Sequence, residues 1–282
     1  MSTKDQKVAV VTGSSAGIGN VTALALARNG FLTYATMRDL GKGDGIKSIA
    51  AKEKLPLRVT QLDVTDENSI KSAIQSILSE AGRIDVLVNN AGYGLGGAFE
   101  DLSMDELKAQ YETNVFGLTR VTQAVLPAMR KQGSGRIINM SSGAGRFGYP
   151  GGSAYVSSKF AVEGLSESLA YELEPFGIRV VLIEPGFIKT NFANGMVFAR
   201  KAQDPKSPYS QMMQMVSTMS NKLMENSSPP ELVANLVSEA AMSKTPNLRY
   251  LAGKDVEQWV AAKKSMSDEE FQSMMKQGTS GA

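Results

Sequence analysis

The chain has 282 residues, 42% of them hydrophobic, enough for a buried core in one large or two small domains, which excludes disordered and fibrous classes. Its 30 basic and 28 acidic residues leave a formal charge of +2, too little to attract nucleic acid or an anionic lipid surface by bulk charge. It contains neither cysteine nor histidine, which removes disulfides, a thiolate nucleophile and most zinc and copper sites, so no metal is expected.

The opening "MSTKDQKVAVVTG" passes from polar residues into a short apolar strand, without the apolar core and cleavage site of a secretory signal. No apolar run approaches membrane-spanning length, and a cytoplasmic protein without a membrane span is the expectation. Strand patterns follow at "KVAVVT" (7–12), "FLTYATM" (31–37), "LRVTQLD" (57–63), "IDVLVNN" (84–90), "GRIINMS" (135–141) and "IRVVLIE" (178–184). Helical patterns at about 17–29, 66–81, 104–131 and 153–175 lie between them, each long enough to cross back over a sheet. Pro127 is expected to bend or shorten the third. This alternation is the signature of βαβ units, an α/β fold whose parallel sheet is covered on both faces.

After Pro185-Gly186 the texture changes. Residues 187–228 carry six of the 15 methionines and little strand pattern, and read as an insertion within the same domain. "SPPELVANLVSEAAMS" (228–243) reads as a proline-started helix and "LRYLAG" (248–253) as a seventh strand. The tail, 254–282, has a weak helical pattern, and its end "GTSGA" is expected to fray.

"VTGSSAGIGN" (11–20) joins the first strand to the first helix. Gly13, Gly17 and Gly19 there suit a turn that lets a pyrophosphate approach the backbone at the positive end of a helix. A tight turn that merely needs glycine is the bland alternative; strand before and helix after weigh against it. Tyr155 and Lys159 stand four apart in "AYVSSKF" (154–160), one turn apart on one helix face. Without histidine, such a pair can do acid/base work: a nearby ammonium favours the phenolate and shifts the phenol downward from its ordinary pKa near 10. Taken alone, the spacing is as well explained by a polar patch.

In order and approximate spacing, "TGSSAGIG" (12–19), "NNAG" (89–92), Asn114 in "NVFG", the set Ser142/Tyr155/Lys159 and "PG" (185–186) resemble the short-chain dehydrogenase/reductase family. The likeness covers nearly all of 5–253. It implies a single-domain extended Rossmann fold, a doubly wound parallel sheet of about seven strands with 187–228 as a substrate lid, followed by a C-terminal extension from 254. It also implies hydride transfer between NAD(P) and a carbonyl or secondary alcohol.

By this resemblance Tyr155 is the acid/base, Ser142 steadies the reacting oxygen, and Lys159 supports Tyr155 and binds the nicotinamide ribose. Ser141, next to Ser142, is the alternative at that position. Asn114 holds a water linking Lys159 to solvent. The turn from Gly13 to Gly19, with Ser14, Ser15 and Ile18, holds the pyrophosphate. Asp63 and the Val64 backbone hold the adenine, with a helix or turn cap as the other reading of Asp63. Asn90, Ala91 and Gly92 pass beside the adenosine ribose, and Pro185, Gly186 and Thr190 face the nicotinamide. The second strand is placed to end at Met37, so Arg38 falls where NADP-preferring members carry a base, with Ser14 and Ser15 as helpers. NADP is the expected cofactor and NAD the alternative.

The lid carries Phe187, Phe192, Met196, Val197, Phe198, Met212, Met213, Met215 and Met219, which suits a bulky apolar carbonyl or alcohol as substrate. Met212, Met215, Val216 and Met219 fit equally well as the buried stripe of a lid helix. The 17-beta-hydroxysteroid and retinol dehydrogenase branch looks most similar, although the histidine its steroid-specific members use cannot be present here. A silent NADP-binding sensor is the competing class of function. The family likeness further implies a homodimer or homotetramer built on the helices at 104–131 and 153–175.

Overall fold

The computed structural model describes residues 6–190 and 196–280, with side chains as far as 276. Among them nine strands form, β1 (Val8–Val11), β2 (Leu32–Met37), β3 (Leu57–Gln61), β4 (Val86–Asn89), β5 (Leu95–Gly96), β6 (Gly135–Met140), β7 (Ile178–Pro185), β8 (Val197–Phe198) and β9 (Arg249–Ala252). Seven of them make one parallel sheet in the order 3-2-1-4-6-7-9; β5 and β8 pair with each other outside it. The apolar runs alternate between two cores, as a sheet covered on both sides requires. Ala9, Val11, Val88, Ile138 and Ile183 face one layer; Val8, Val10, Leu87, Ile137 and Val180 face the other.

The first layer is closed by α1 (Gly17–Arg28), α2 (Asp44–Glu53) and α8 (Pro230–Met242), through Leu24, Leu26, Ile46, Val233 and Val237. The second is closed by α3 (Glu67–Ala81), α5 (Leu118–Gln132) and α6 (Ser153–Leu173), through Ile70, Ile74, Ile77, Val121, Val125, Met129 and Leu173. Local chemistry sets the helix ends. Asp66 caps α3 by accepting from the Asn68 and Ser69 amides, and Ser103 with Glu106 forms a capping box at α4 (Met104–Tyr111).

The structure departs from the sequence reading, or adds to it, in several elements, the two-residue strands β5 and β8 among them. Helix α2, which carries the chain from β2 to β3, had no counterpart. The span 104–131 divides into α4, a π-helical turn Glu112–Gly117, and α5. Pro127 lies inside α5, which continues five residues past it to Gln132. Both Pro127 and Gln123, the residue whose carbonyl the missing N–H would have met, are exposed, so water can take the freed carbonyl. The tail forms α9 (Lys254–Ser265) and α10 (Asp268–Ser280), with Val256, Val260 and Phe271 buried against Phe147; only 281–282 of "GTSGA" lie outside the described residues. In the lid, α7 (Ser210–Glu225) buries Met213, while Met212, Val216 and Met219 are half-buried and Met215 is exposed. Phe192 lies outside the described residues.

No helix among the described residues is long and apolar enough to cross a membrane.

Candidate active site

The C-terminal ends of β1, β4, β6 and β7 lie side by side, and the sheet order reverses between β1 and β4, where an open α/β sheet leaves a crevice for ligands. Each of these four ends carries part of the candidate site.

At the end of β1, Gly13 takes φ +68° and a Cβ there would stand 2.8 Å from the Ala91 Cα; Gly17 takes φ +57°. These positions need glycine because the turn is left-handed and the β4 loop presses against it. A Cβ on Gly19 would meet the Asn90 side-chain nitrogen and the Gly13 carbonyl oxygen. Helix α1 then begins at Gly17 with Ala16 as its N-cap, so no side chain closes its first amides and its first turn carries no acid. Unclosed amides at the positive end of a helix suit a pyrophosphate, and the residues present therefore fit a dinucleotide. Ile18 packs on the core beneath, and Ser15 is half-buried at the rim. Ser14 does not serve as a phosphate helper in this arrangement. It is fully buried, its Oγ donating to the Val11 carbonyl at 2.8 Å and its N–H to Thr36, so it shapes the turn.

Strand β2 ends at Met37, which places Arg38 in the first position beyond it, exposed and in no ion pair among the described residues. Asp39 is engaged otherwise, its Oδ1 accepting from the Gly41 amide at 2.9 Å. Beside it, at the end of β3, Asp63 uses Oδ1 in a turn with the Thr65 amide and hydroxyl, at 2.9 and 2.7 Å. Val64 is buried against Gly117 of the π-helical turn.

At the end of β4, Asn90 clamps the loop to the glycine turn, its Nδ2 donating to the carbonyls of Thr12 and Gly13 at 2.9 and 3.1 Å. Thr12 answers from β1: its Oγ1 accepts from the amides of Asn90 and Ala91, both at 3.0 Å. Gly92 passes close to Asn114, which is buried in the π-helical turn. The Asn114 amide group is committed. Oδ1 accepts from the Tyr93 amide at 3.1 Å, and Nδ2 donates to the Tyr93 carbonyl at 2.9 Å and the Ser158 hydroxyl at 3.3 Å. Asn114 thus sits in an irregular turn of the kind found at functional sites.

At the end of β6, Ser142 caps a short turn by accepting from the Ala144 amide at 3.2 Å and shares a hydrogen bond with the Tyr155 phenol. Lys159 is buried, with its Nζ donating to the Met140 carbonyl at 2.8 Å and lying 5.6 Å from the centre of the Tyr155 ring. The sequence reading had the ammonium pulling the phenol downward. Here burial dominates: it pushes Tyr155 up to about 12, against the opposing bond from Ser142. Burial likewise pushes Lys159 down to about 8, with Glu163 opposing. Both groups lose water, and each favours its neutral form. Tyr149, also pushed upward by burial and by Tyr155, lies near them.

At the end of β7, Pro185 pairs with Ala252 of β9 and the Gly186 amide donates to the Ala252 carbonyl at 3.1 Å. Thr190 stands beside Gly17, closing the circle from β7 back to the glycine turn. The Pro-Gly bend is held from the tail. Asp255 of α9 accepts from the Phe187 amide at 2.7 Å, and a Cβ on Gly186 would stand 2.2 Å from its Oδ2. Sequence reasoning missed Thr12, Ser158, Tyr149 and Asp255. Thr12, at the strand end before the glycines, and Ser158, in "AYVSSKF", stand inside the quoted motifs; Tyr149 and Asp255 lie outside them.

Fold and site define a doubly wound dinucleotide-binding oxidoreductase. The sequence profile described as short chain dehydrogenase matches residues 7–200, and the chain belongs to that family. The uncharacterized oxidoreductase YusZ of Bacillus subtilis is 43% identical over 89% of this chain and 91% of its own length. Human 17-beta-hydroxysteroid dehydrogenase type 1 is 36% identical over 86% of this chain and 76% of its own. A solved short-chain dehydrogenase from Streptomyces avermitilis superposes with a TM-score of 0.82 at 33% identity, covering 98% of this chain and 97% of that one. A metagenomic short-chain oxidoreductase in complex with NADP gives 0.69 at 28% identity, covering 87% and 96%. A Burkholderia phymatum protein of the family in complex with NAD gives 0.81 at 24%, covering 96% and 97%, a likeness of fold alone.

Proposed function

We propose that this protein is an NADP-preferring oxidoreductase that interconverts a carbonyl and a secondary alcohol on a bulky apolar substrate. The observation that carries this reading is the convergence of Ser142, Tyr155 and Lys159 at one strand end, beside strand ends that frame an open helix N-terminus.

The turn from Gly13 to Gly19 would hold the pyrophosphate, Arg38 a 2′-phosphate, Asp63 and Val64 the adenine, and Asn90 to Gly92 the adenosine ribose. Pro185, Gly186 and Thr190 would hold the nicotinamide end, and Lys159 its ribose. A bound nicotinamide supplies or accepts hydride. Tyr155 donates the proton: a phenol pushed up to about 12 is fully protonated at neutral pH, ready to give its proton to an oxygen that gains charge. Ser142 donates a hydrogen bond to the same oxygen. Lys159, charged below about pH 8, stabilises the phenolate left behind. The side chain of Asn114 is engaged, so a water linking Lys159 to solvent would bond to the main chain of the π-helical turn. The half-buried methionines of α7 and the aromatic Phe187, in ring contact with Trp259, supply an apolar wall.

Arg38 supports NADP because it stands directly beyond β2 while Asp39 is engaged in a turn. Replacing Arg38 by Ala should lower kcat/KM with NADPH roughly 10- to 100-fold, the worth of a charge-assisted hydrogen bond or two, and leave the value with NADH within about threefold. Equal losses with both cofactors would overturn the NADP preference.

A further inference from the structure

Behind Lys159, charged groups from four parts of the fold meet in the protein interior. Glu163 lies one turn further along α6, 6% exposed. Its Oε2 accepts from Arg249 of β9 at 3.2 Å, while its Oε1 is buried without a hydrogen-bond partner. Glu184 of β7, fully buried, holds Arg146 from the loop after β6 at 3.0 Å and Arg249 at 3.1 Å. Glu167 of α6 takes the remaining reach of Arg249. Tyr155 stands beside Lys159, its ring centre 5.6 Å from Nζ, and Tyr149, from the loop after β6, lies near Tyr155.

A fastening of α6 to the sheet would account for Arg249, which already has Glu184 and Glu167. It does not account for a buried carboxylate that meets Arg249 through one oxygen only, while the other has no hydrogen-bond partner among the described residues, a costly arrangement in the interior. Nor does it account for Gly145, where a Cβ would stand 2.9 Å from the Glu163 Cγ and 2.8 Å from the Ser141 hydroxyl, so that the loop admits this carboxylate only because that residue is glycine. Lys159 itself is in no ion pair among the described residues and needs a counter-charge in a dry site. Glu163 acts on it through space, opposing the effect of burial.

We propose that Glu163 is a positioning residue that keeps Lys159 in its ammonium form, and that Arg249 sets the strength of this hold. The inference rests on the reading of Lys159 as the partner of Tyr155. Removing the carboxylate would favour neutral Lys159; removing the Arg249 cation would leave the full charge of Glu163 acting on it.

The test is a titration of Lys159 by NMR in protein carrying 13C-labelled lysine and bound NADP, its signal assigned by its loss in Lys159→Met. Glu163→Gln should move the Lys159 midpoint down by about one pH unit, Arg249→Met should move it up, and Glu163→Asp should restore most of the original value. The alkaline limb of kcat/KM should move with the midpoint in each variant. Folded variants with unmoved midpoints would overturn the proposal, since a merely structural knot alters melting temperature and leaves the Lys159 titration where it was. If Glu163→Gln does not fold, the direction of the Arg249→Met and Glu163→Asp shifts decides alone. Wild-type protein that reduced no carbonyl would remove the catalytic reading, while the midpoints would still decide whether Glu163 controls the charge of Lys159.

Discussion

Tyr155 and Lys159 show how a residue pair can be legible in sequence while its electrostatics is not. Their four-residue spacing puts them on one face of α6, and the family motifs around them gave the pair its chemical meaning. What spacing could not convey is that Lys159 is buried and Tyr155 half-buried. For Lys159 the consequence for stability has a definite sign. Its ordinary value is 10.5 and its folded value about 8, so below pH 8 both states are protonated and the buried ammonium opposes folding. As pH rises from 8 toward 10.5 the unfolded state binds more protons, and that opposition is relieved. Lys159→Met should therefore raise stability at pH 7, by on the order of 3 kcal/mol at most, and with it the melting temperature, and the gain over wild type should shrink toward pH 10. Thermal scans across that range check it; a lower melting temperature at pH 7 would contradict it. Thr12 and Ser14 teach the complementary lesson. Both lie in the glycine motif and both are buried: the Ser14 hydroxyl braces the turn against Val11, and the Thr12 hydroxyl ties it to the loop after β4, partners that the motif alone does not show.

At the scale of elements, β1, β2, β4, β6 and β7 were legible because each is a short, largely buried apolar run, and the long helices because they fill the gaps between runs; β5 and β8, two residues each, are too short to show a pattern. Helix α2 escaped notice for a physical reason: Gly41, Gly43 and Gly45 crowd its start and it buries only Ile46 and Ala50, so propensity and periodicity are both weak. The helical pattern of the tail was legible and its packing was not, because its buried apolar residues, Val256, Val260 and Phe271, are sparse and find their partner, Phe147, on the loop after β6, more than a hundred residues earlier. The consequence for the site is direct, since α9 carries Asp255. Asp255→Ala should leave the Phe187 amide without its partner, lowering stability by about 1–3 kcal/mol and weakening NADPH binding through the loosened Pro-Gly bend. Thermal unfolding with and without NADPH measures both effects. An unchanged melting temperature together with unchanged NADPH affinity would show that the tail does not brace the bend.

For the whole molecule, the sheet order places every strand end that carries a site residue at one edge, and the parallel direction of all seven strands follows from the crossover helices between them. One surface is less easily reconciled with a lone chain. Phe99, in the turn before α4, and Met104, at the start of α4, are 70% and 63% exposed and lie near Phe116 of the π-helical turn; Phe160 and Tyr171 of α6 are exposed as well. An apolar surface of this extent on two adjoining helical elements suits a contact between copies of the chain. Light scattering should therefore give a dimer or tetramer, and a double substitution of Phe116 and Phe160 by Asp should shift it toward monomer; a wild-type monomer at micromolar concentration would contradict the assignment. The activity of the molecule is tested most directly by following NADPH oxidation with a panel of apolar ketones and aldehydes, using wild type and Tyr155→Phe side by side. Wild type should turn over at least one carbonyl, and Tyr155→Phe should lose about 10²- to 10⁴-fold in kcat while binding NADPH as before. Tight NADPH binding without turnover of any carbonyl, or undiminished turnover in Tyr155→Phe, would contradict the assignment of Tyr155 as the proton donor of a carbonyl reductase.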